Sequence, residues 1–225
     1  MYKKYFTSTL NLINILLSQN FNIARIQYGG GGDWYSDPSS LPNLLQYLKD
    51  HTSMKMAGNE FRIKLTDNNA HHFPYLYMTG HGNINLSDGE VIALRAILLN
   101  GGFLHADDNY GMDASFRREM KKVFPNKDLV ELPHDHPVFS SYYRFENGLP
   151  KIHEHDNKPP QAFGIFEKDI LVVLYTYETD LGDGWEDEAV HNNPWVLREK
   201  ALKMGVNTVS YTHLRAHETV LDLVC

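Results

Sequence analysis

The chain has 225 residues, of which 42% are hydrophobic and 22% are charged, and its formal net charge is −7. This length and composition predict one globular domain with a sizeable core, and they exclude a disordered or fibrous protein. Because no stretch is rich in Lys and Arg, we expect no nucleic-acid partner.

Residues 1–19 form a segment of their own before the predicted domain. Lys3 and Lys4 precede a weakly apolar stretch, which is the layout of a secretory signal, although no small-residue cleavage site is evident. The segment is interpreted as a signal or a disordered extension, and export and a cytoplasmic location stay equally open. It is shorter than the roughly 20 apolar residues that cross a membrane, so we expect no membrane span.

Residues 209–225 also stand apart, because they resemble a translated sequencing adapter. We therefore predict that residues 20–208 form a single α/β domain. The sole cysteine, Cys225, lies in the adapter-like segment. The predicted domain, residues 20–208, contains no cysteine and can therefore have no disulfide, no zinc–thiolate site and no thiol nucleophile.

Strands and helices are predicted to alternate along the domain. In chain order, the patterns predict strand 23–28, helix 42–51, strands 61–65 and 73–79, helix 91–99, strand 103–106 and helix 114–124. Ser87 and Glu90 form a capping-box pattern ahead of the second helix. A hairpin over 162–176, a second hairpin near residue 147 and a helix over 194–204 follow. This order predicts a doubly wound, mostly parallel sheet in three layers.

Asp- and His-rich clusters follow several predicted strands. In a doubly wound sheet, ligands bind beyond the carboxyl ends of the strands, so we expect these clusters, including 135–136 and 183–187, to converge at one edge. The residues predicted for catalysis are Asp33, His81, Asp107 and Asp108. Those predicted for ligand binding are Gly30, Gly31, Gly32, Trp34, Tyr35, Asn109, Tyr110 and Trp185.

The glycine run at residues 29–32 has two interpretations. Its amides could approach a phosphate or carboxylate group, but the run matches neither the Walker nor the dinucleotide-binding pattern. In the alternative interpretation the run is a tight turn, which is the more common role of a bare glycine loop. Trp34 and Tyr35 beside Asp33 suit stacking and hydrogen bonding to a polar or carbohydrate-like ring.

Asp107 and Asp108 are expected at the sharp turn after a central strand. Adjacent carboxylates there could share a proton or a metal ion, or act as a base and its orienting group. In the alternative interpretation, Asp107 only caps the following turn and Asp108 is solvated. The sequence leaves both open.

A divalent-metal site is a further hypothesis. His153, His155 and Asp156 offer a His-x-His spacing that one metal ion can accept if the segment is extended. Exposed surface histidines are the alternative. The acidic segment 180–187 lacks the spacing of a calcium loop and is predicted to be a structural turn, with Trp185 covering the site. His105, inside a predicted strand, is expected to be packed rather than a ligand.

Several long segments carry a family resemblance. The chain resembles the bacterial domain of unknown function 4159 family over nearly all of residues 23–207. Six segments carry the resemblance, among them YLYMTGHG, NGGFLHADDNYGMDASFRREM, GLPKIHEHDNKPPQ and YETDLGDGWED. The resemblance implies a flavodoxin-like fold similar to the class I glutamine amidotransferases and their trehalose-utilisation (ThuA-like) relatives. A cysteine attacks glutamine at the elbow of those amidotransferases. The matching residues 105–109 contain no thiol, so we expect no glutaminase activity.

Two functional hypotheses follow. The first is a hydrolase, metal-assisted or metal-free, acting on a small polar or carbohydrate-like ligand, with Asp107 or Asp108 as the base. The second is a non-catalytic binding or assembly domain whose recognition face is Trp34, Tyr35, Tyr110 and Trp185. The fold alone does not separate them, and the sequence does not indicate the oligomeric state.

Overall fold

The computed structural model describes residues 20–222, with the side chains of residues 20–213. Residues 1–19, interpreted above as a signal or a disordered extension, lie outside this range. The strands are β1 (Ile23–Ile26), β2 (Phe61–Ile63), β3 (Tyr75–Gly80), β4 (Phe103–Asp108), β5 (Val130–Glu131), β6 (Gln161–Glu167) and β7 (Ile170–Tyr177). The helices are α1 (Ser40–His51), α2 (Asp88–Leu99), α3 (Asp113–Val123), α4 (Leu181–Trp185), α5 (Glu188–His191) and α6 (Trp195–Asp222). Residues 70–72 and 137–139 form single 3₁₀ turns.

The seven strands form one sheet in the order β2-β1-β3-β4-β7-β6-β5. The neighbours from β2 to β7 pair in parallel, whereas β6 runs antiparallel to both β7 and β5. The hairpin of β6 and β7 turns at Lys168 and Asp169, as predicted, and both residues have positive φ. The sheet is therefore mostly parallel, which confirms the predicted α/β class.

Helices cover both faces of the sheet, and each face has its own hydrophobic core. Successive strand residues point to opposite faces. Tyr75 and Tyr77 of β3 thus join the core beneath α1 and α6, while Leu76 and Met78 join the core beneath α2 and α3. The fold has three layers, with the sheet in the middle.

The start of α2 shows why the local sequence folds as it does. The Ser87 side chain accepts a hydrogen bond from the Glu90 backbone N–H, and the Glu90 carboxylate accepts one from the Ser87 backbone N–H. Two amide groups that the first helical turn leaves unpaired are thereby satisfied. This confirms the predicted capping box.

Two predicted elements differ from the structure. The segment near residue 147 forms turns without strand pairing, so the second hairpin is wrong. The last helix, α6, extends well beyond the predicted 194–204 because its apolar face packs beneath the sheet. It continues into the adapter-like segment, where Val209 and Thr212 are buried. None of the described helices is long and apolar enough to cross a membrane.

Candidate functional site

The carboxyl ends of β3, β4 and β7 lie side by side at one edge of the sheet. Gly80 of β3 is opposite Asp108 of β4, and Asp107 is opposite Thr176 of β7. We call this edge, which runs through Gly80, Asp108 and Tyr177, the rim. Loops that follow these strands meet at the rim, where doubly wound sheets commonly bind ligands.

Asp107 and Asp108 lie on opposite faces of the sheet, because strand residues alternate. Asp107 faces the layer of α1 and α6. Asp108 Oδ1 accepts hydrogen bonds from the backbone N–H groups of Tyr110 and Met112, and its Oδ2 accepts one from the Tyr175 hydroxyl. The two carboxylates are therefore not placed to share a proton or a metal ion. Asp108 caps the turn into α3 and is buried, so the alternative interpretation, in which Asp107 is the cap and Asp108 is solvated, is wrong. The role of Asp107 as a base stays a prediction.

Asp107 is fully buried and has three hydrogen-bond donors around it. Its Oδ1 accepts from Thr176 Oγ1, and its Oδ2 accepts from the Gly182 backbone N–H at 2.6 Å and from the Tyr77 hydroxyl at 3.5 Å. Burial raises the pKa of Asp107 to about 7, although the hydrogen bonds from Thr176 and Gly182 oppose the shift. A carboxyl group that exchanges its proton near neutral pH suits a general acid or base.

Asp37 and Asp180 add two buried carboxyl groups to this region. Burial, and then the charge of Asp183, raise the pKa of Asp37 to about 8. Burial, followed by the charges of Asp107 and Asp183, raises the pKa of Asp180 to about 9. Within the described part of the chain, Asp180 Oδ1 has no hydrogen-bond partner. The region concentrates negative charge where burial makes charge costly.

Asn109 connects the carboxylates of different loops. Its Nδ2 donates to Asp37 Oδ2 and, at 3.3 Å, to Asp183 Oδ1. Its Oδ1 accepts a hydrogen bond from Thr79 Oγ1 at 3.0 Å. Asn109 was predicted to bind ligand, but it is itself buried and positions two carboxylates.

His153, Asp183 and His191 bring two imidazoles to one carboxylate. His153 Nδ1 lies 2.8 Å from Asp183 Oδ2, and His191 Nε2 lies 3.5 Å from Asp183 Oδ1. The three donor atoms lie within 4.8 Å of one another. The hydrogen bond to Asp183 raises the pKa of His153. Burial alone would raise the pKa of Asp183, but the His153 hydrogen bond and the His191 charge lower it overall.

A second group with metal-ligand spacing shares His191. It contains Asp37, Glu186 and His191, whose donor atoms also lie within 4.8 Å of one another. Glu186 Oε2 is 3.1 Å from His191 Nε2, and its Oε1 accepts hydrogen bonds from the backbone N–H and hydroxyl of Ser39. Mixed imidazole and carboxylate donors are suited to zinc, manganese and related divalent ions.

His155 and Asp156 were predicted to bind a metal ion together with His153, but neither belongs to the two groups described above. His155 Nε2 lies 2.6 Å from Asp180 Oδ2, and its ring stacks on Tyr110. Asp156 is exposed and accepts a hydrogen bond from the Tyr110 hydroxyl at 3.1 Å. The 153–157 segment bends instead of running extended, so the His-x-His pair faces different partners. Only His153 of the predicted ligands belongs to a ligand group among the described residues.

Asp33 and His81 form a separate pair near the surface. His81 Nδ1 lies 3.0 Å from Asp33 Oδ2, and the His81 backbone N–H donates to Asp33 Oδ1. The His81 side chain is 54% exposed. A carboxylate that orients an imidazole in this way is a common support for a general base. The structure places these two predicted catalytic residues next to each other, but it does not place them beside Asp107.

The glycine run packs against the loop after β3. Gly32 donates its backbone N–H to Asn83 O at 3.0 Å, and Asn83 Nδ2 donates to Gly30 O. A Cβ on Gly30 would lie 2.6 Å from Asn85 N. Gly30 and Gly31 also have φ values of 110° and 93°, which favour glycine. Close approach of two loops explains the run, and the Gly32 amide is already paired.

The four aromatic residues predicted to recognise a ligand do not form one face. Trp185 is fully buried, and its Nε1 donates to Ala201 O at 2.8 Å, because α4 packs its apolar side against α6. It is a core residue rather than a cover over the site. Tyr35 and Tyr110 are 62% and 47% exposed, and Trp34 packs edge-to-face with Tyr35.

Other histidines lie away from the rim. His105 is buried in β4, and burial lowers its pKa to about 3, so it is a neutral packed residue as predicted. His136 packs its ring near Phe166, at the end of β6 that is far from the rim. The expectation that residues 135–136 join the rim is therefore wrong.

The opposite, amino-terminal edge of the sheet contains a cavity of about 630 Å³. Parts of segments 65–74 and 93–102 line it, including His71 and His72. The carboxylates and imidazoles described above do not line this cavity. The carboxylates and imidazoles of the rim and this cavity are thus at opposite ends of the sheet.

Comparison with known proteins identifies the family. A family model described as Domain of unknown function (DUF4159) matches residues 22–212. The chain belongs to the DUF4159 family. The match includes all seven strands of the DUF4159 domain and every residue of the two ligand groups. No curated protein matches the chain.

Sequence reasoning missed three polar residues of this DUF4159 site, Asp37, His191 and Asn193. The sequence predicts that segment 183–187, which contains Asp183 and Glu186, lies at the rim, but it does not predict either residue as a ligand, because the segment lacks the spacing of a calcium loop. His191 lies at the end of α5 with its Nε2 3.1 Å from Glu186 Oε2, a contact that the sequence around His191 does not indicate.

Proposed function

We propose that this DUF4159 domain is a hydrolase that uses a divalent cation bound by His153, Asp183 and His191. The observation that supports the proposal is the meeting of these three donor atoms within 4.8 Å. Two imidazoles and one carboxylate are a ligand set of catalytic metal sites, and they leave a coordination position for water. The substrate would be a small polar or carbohydrate-like molecule at the rim.

The distances fit metal ligation after small side-chain movements. Two donors that each lie about 2.1 Å from a tetrahedral ion are about 3.4 Å apart. The Asp183 oxygens lie 2.8 Å from His153 and 3.5 Å from His191. Asn193 Oδ1 lies 3.1 Å from His153 Nε2, so it can accept a hydrogen bond from Nε2–H and leave the lone pair of Nδ1 for the cation.

Asp107 is the proposed proton acceptor. The bound cation would lower the pKa of its water toward about 7. Asp107 Oδ2 and Asp37 Oδ2 both lie within 3.3 Å of the point that a Cβ on Gly182 would occupy. Asn109 Nδ2 donates to both Asp37 and the ligand Asp183, so Asp107 is connected to the proposed cation site through Asp37. In this scheme water loses a proton to Asp107, its oxygen attacks the substrate, and Asp107 returns the proton to the leaving group.

The fold is proposed to be flavodoxin-like, as in class I glutamine amidotransferases and their trehalose-utilisation relatives. The five parallel strands follow the spatial order second, first, third, fourth and fifth along the chain, which is the flavodoxin order. The turn after β4 has Asp107, Asp108 and Asn109 and no thiol. The proposal therefore includes no glutaminase activity.

A non-catalytic binding domain is the alternative. Its support is the exposure of Tyr35 and Tyr110. The burial of Trp185 removes one of the four aromatic residues on which that hypothesis rested. The buried carboxyl groups and paired imidazoles favour the hydrolase.

The test is elemental analysis of protein purified without a chelator or histidine tag. We expect at least one divalent ion per chain in the wild type, and loss of it in His153→Ala and Asp183→Asn. His71→Ala is the matched control, because His71 is exposed at the opposite edge of the sheet. A wild-type protein that stays metal-free after incubation with zinc, manganese and calcium would contradict the proposal.

Activity is then measured with the metal-loaded protein. Ester, phosphate and glycoside substrates are screened, and Asp107→Asn is expected to lose turnover while it retains the metal. Equal turnover by Asp107→Asn and the wild type would remove Asp107 from the mechanism.

A further inference from the structure

More carboxylates surround His191 than one cation needs. The group of Asp37, Glu186 and His191 adjoins the proposed cation position and shares His191 with it. Asp37 and Glu186 are 7% and 3% exposed, respectively. With Asp183 they carry three negative charges when ionised, against two positive charges on one cation. A buried excess of negative charge is unfavourable, and a second cation would offset it.

The two oxygens of Asp183 face different donors. Oδ2 lies 2.8 Å from His153 Nδ1 of the first position. Oδ1 lies 3.3 Å from Asn109 Nδ2, which also donates to Asp37 Oδ2 of the second position, and 3.5 Å from the shared His191. A carboxylate turned in this way can bind one ion with each oxygen. Paired ions in hydrolytic sites lie about 3.5–4 Å apart, a separation that a bridging carboxylate spans.

Hydrogen bonds already hold the remaining carboxylates in place. Glu186 Oε1 accepts from the Ser39 backbone N–H at 3.2 Å and from the Ser39 hydroxyl at 3.1 Å, which leaves Oε2 on the side of His191. Asp37 Oδ2 accepts from Asn109 Nδ2. Such supporting bonds orient ligands for a metal and reduce the ordering needed on binding.

We propose that the centre binds two divalent cations, the second held by Asp37 and Glu186, with Asp183 bridging to the first. The inference rests on the proposed function, since the first position is the one described there. The second position offers mainly oxygen donors, so Mn²⁺ or Mg²⁺ suits it better than a thiophilic metal. Paired ions bind two oxygens of one group, which points to substrates with a phosphate or carboxylate group.

Metal stoichiometry separates this inference from the proposed function. The full chain is stripped of metal, titrated with Mn²⁺ by calorimetry, and then analysed for bound manganese. Two ions per chain are expected. One ion would overturn the second position and leave the proposed function standing, whereas no ion would overturn both.

Glu186→Gln tests the ligands of the second position. The amide keeps an oxygen that can accept from Ser39 but removes the charge, so the variant should bind one Mn²⁺ per chain. Glu188→Gln is the control, because Glu188 is exposed on the following helix, and it should bind two. Two ions in Glu186→Gln would contradict the assignment.

Electron paramagnetic resonance of the wild type tests the bridge without a variant, and so does not depend on the folding of Glu186→Gln. Two Mn²⁺ ions that share Asp183 should give an exchange-coupled spectrum. The spectrum of isolated Mn²⁺ ions at full occupancy would contradict a shared carboxylate.

Discussion

Replacing Asp107 by Asn should flatten the pH dependence of stability of the metal-free protein. The pKa of Asp107 is about 7 in the folded chain, against an ordinary value of 3.8, because burial disfavours its charge. The folded state therefore holds the proton more tightly than the unfolded state. Between pH 3.8 and about 7 the folded state binds more protons, so the free energy of unfolding falls as the pH rises through this window.

The magnitude follows from the same two pKa values. A difference of about 3 in pKa corresponds to about 4 kcal/mol in total, of which about 2 kcal/mol falls between pH 5 and 7. The side-chain amide of the Asp107→Asn variant cannot ionise, and its oxygen can still accept from the Gly182 backbone N–H. The stability difference between wild type and Asp107→Asn should therefore change by about 2 kcal/mol over that range, in favour of the variant at pH 7.

The assay is urea unfolding in the presence of a chelator at pH 5, 6 and 7, followed by tryptophan fluorescence and circular dichroism. The chelator is needed because a bound cation would favour ionised carboxylates and hide the effect. Parallel pH profiles for the two proteins would refute the reasoning, because they would show that Asp107 titrates alike in the folded and unfolded states.

Three further changes test the packing around the site and its scaffold by urea unfolding. Gly182→Ala should lower the free energy of unfolding by about 1–3 kcal/mol, because its Cβ would lie 2.7 Å from Asp37 Oδ2. The control Gly89→Ala in α2 should be neutral or stabilising, since the nearest atom to its Cβ would be 3.7 Å away. Ser87→Ala should cost about 1 kcal/mol through loss of the capping box; an unchanged midpoint would contradict its role. Tyr175→Phe should cost about 1–3 kcal/mol, because its hydroxyl donates to the buried carboxylate of Asp108 at 2.8 Å, and a neutral substitution would show that this bond contributes little.

Local sequence signals predict much of the fold. The periodicity of residues 42–51 and the pair Ser87 and Glu90 depend on neighbours a few positions away, and the structure contains both helices. The end of α6 is set by packing between distant elements, and local patterns do not report it. The segment near residue 147 has turn residues but no partner strand, so its composition alone was misleading.

The candidate site could be predicted only in part. The position of Asp107 at the end of a central strand follows from the strand pattern, and so does the opposite orientation of Asp108, since strand side chains alternate. The proximity of Asp37 and Asp183 does not follow from the strand pattern, because Asn109 joins two loops that are far apart in sequence. The ligand group depends on how loops cross at the rim, which no spacing within one segment encodes.

Left-handed backbone conformations concentrate around this site. Among the non-glycine residues with positive φ are Asp37, Tyr110, Glu178 and Asp180. Asp adopts this region readily, whereas Tyr and Glu do so at a cost of about 1 kcal/mol or more. At the end of β7, the turn through Glu178 and Asp180 returns α4 over the sheet, so that the Gly182 backbone N–H reaches Asp107 at 2.6 Å. The turn therefore carries a backbone cost at the point where it brings the Gly182 backbone N–H to the buried carboxylate of Asp107, and the packing of α4 against α6 has to offset that cost.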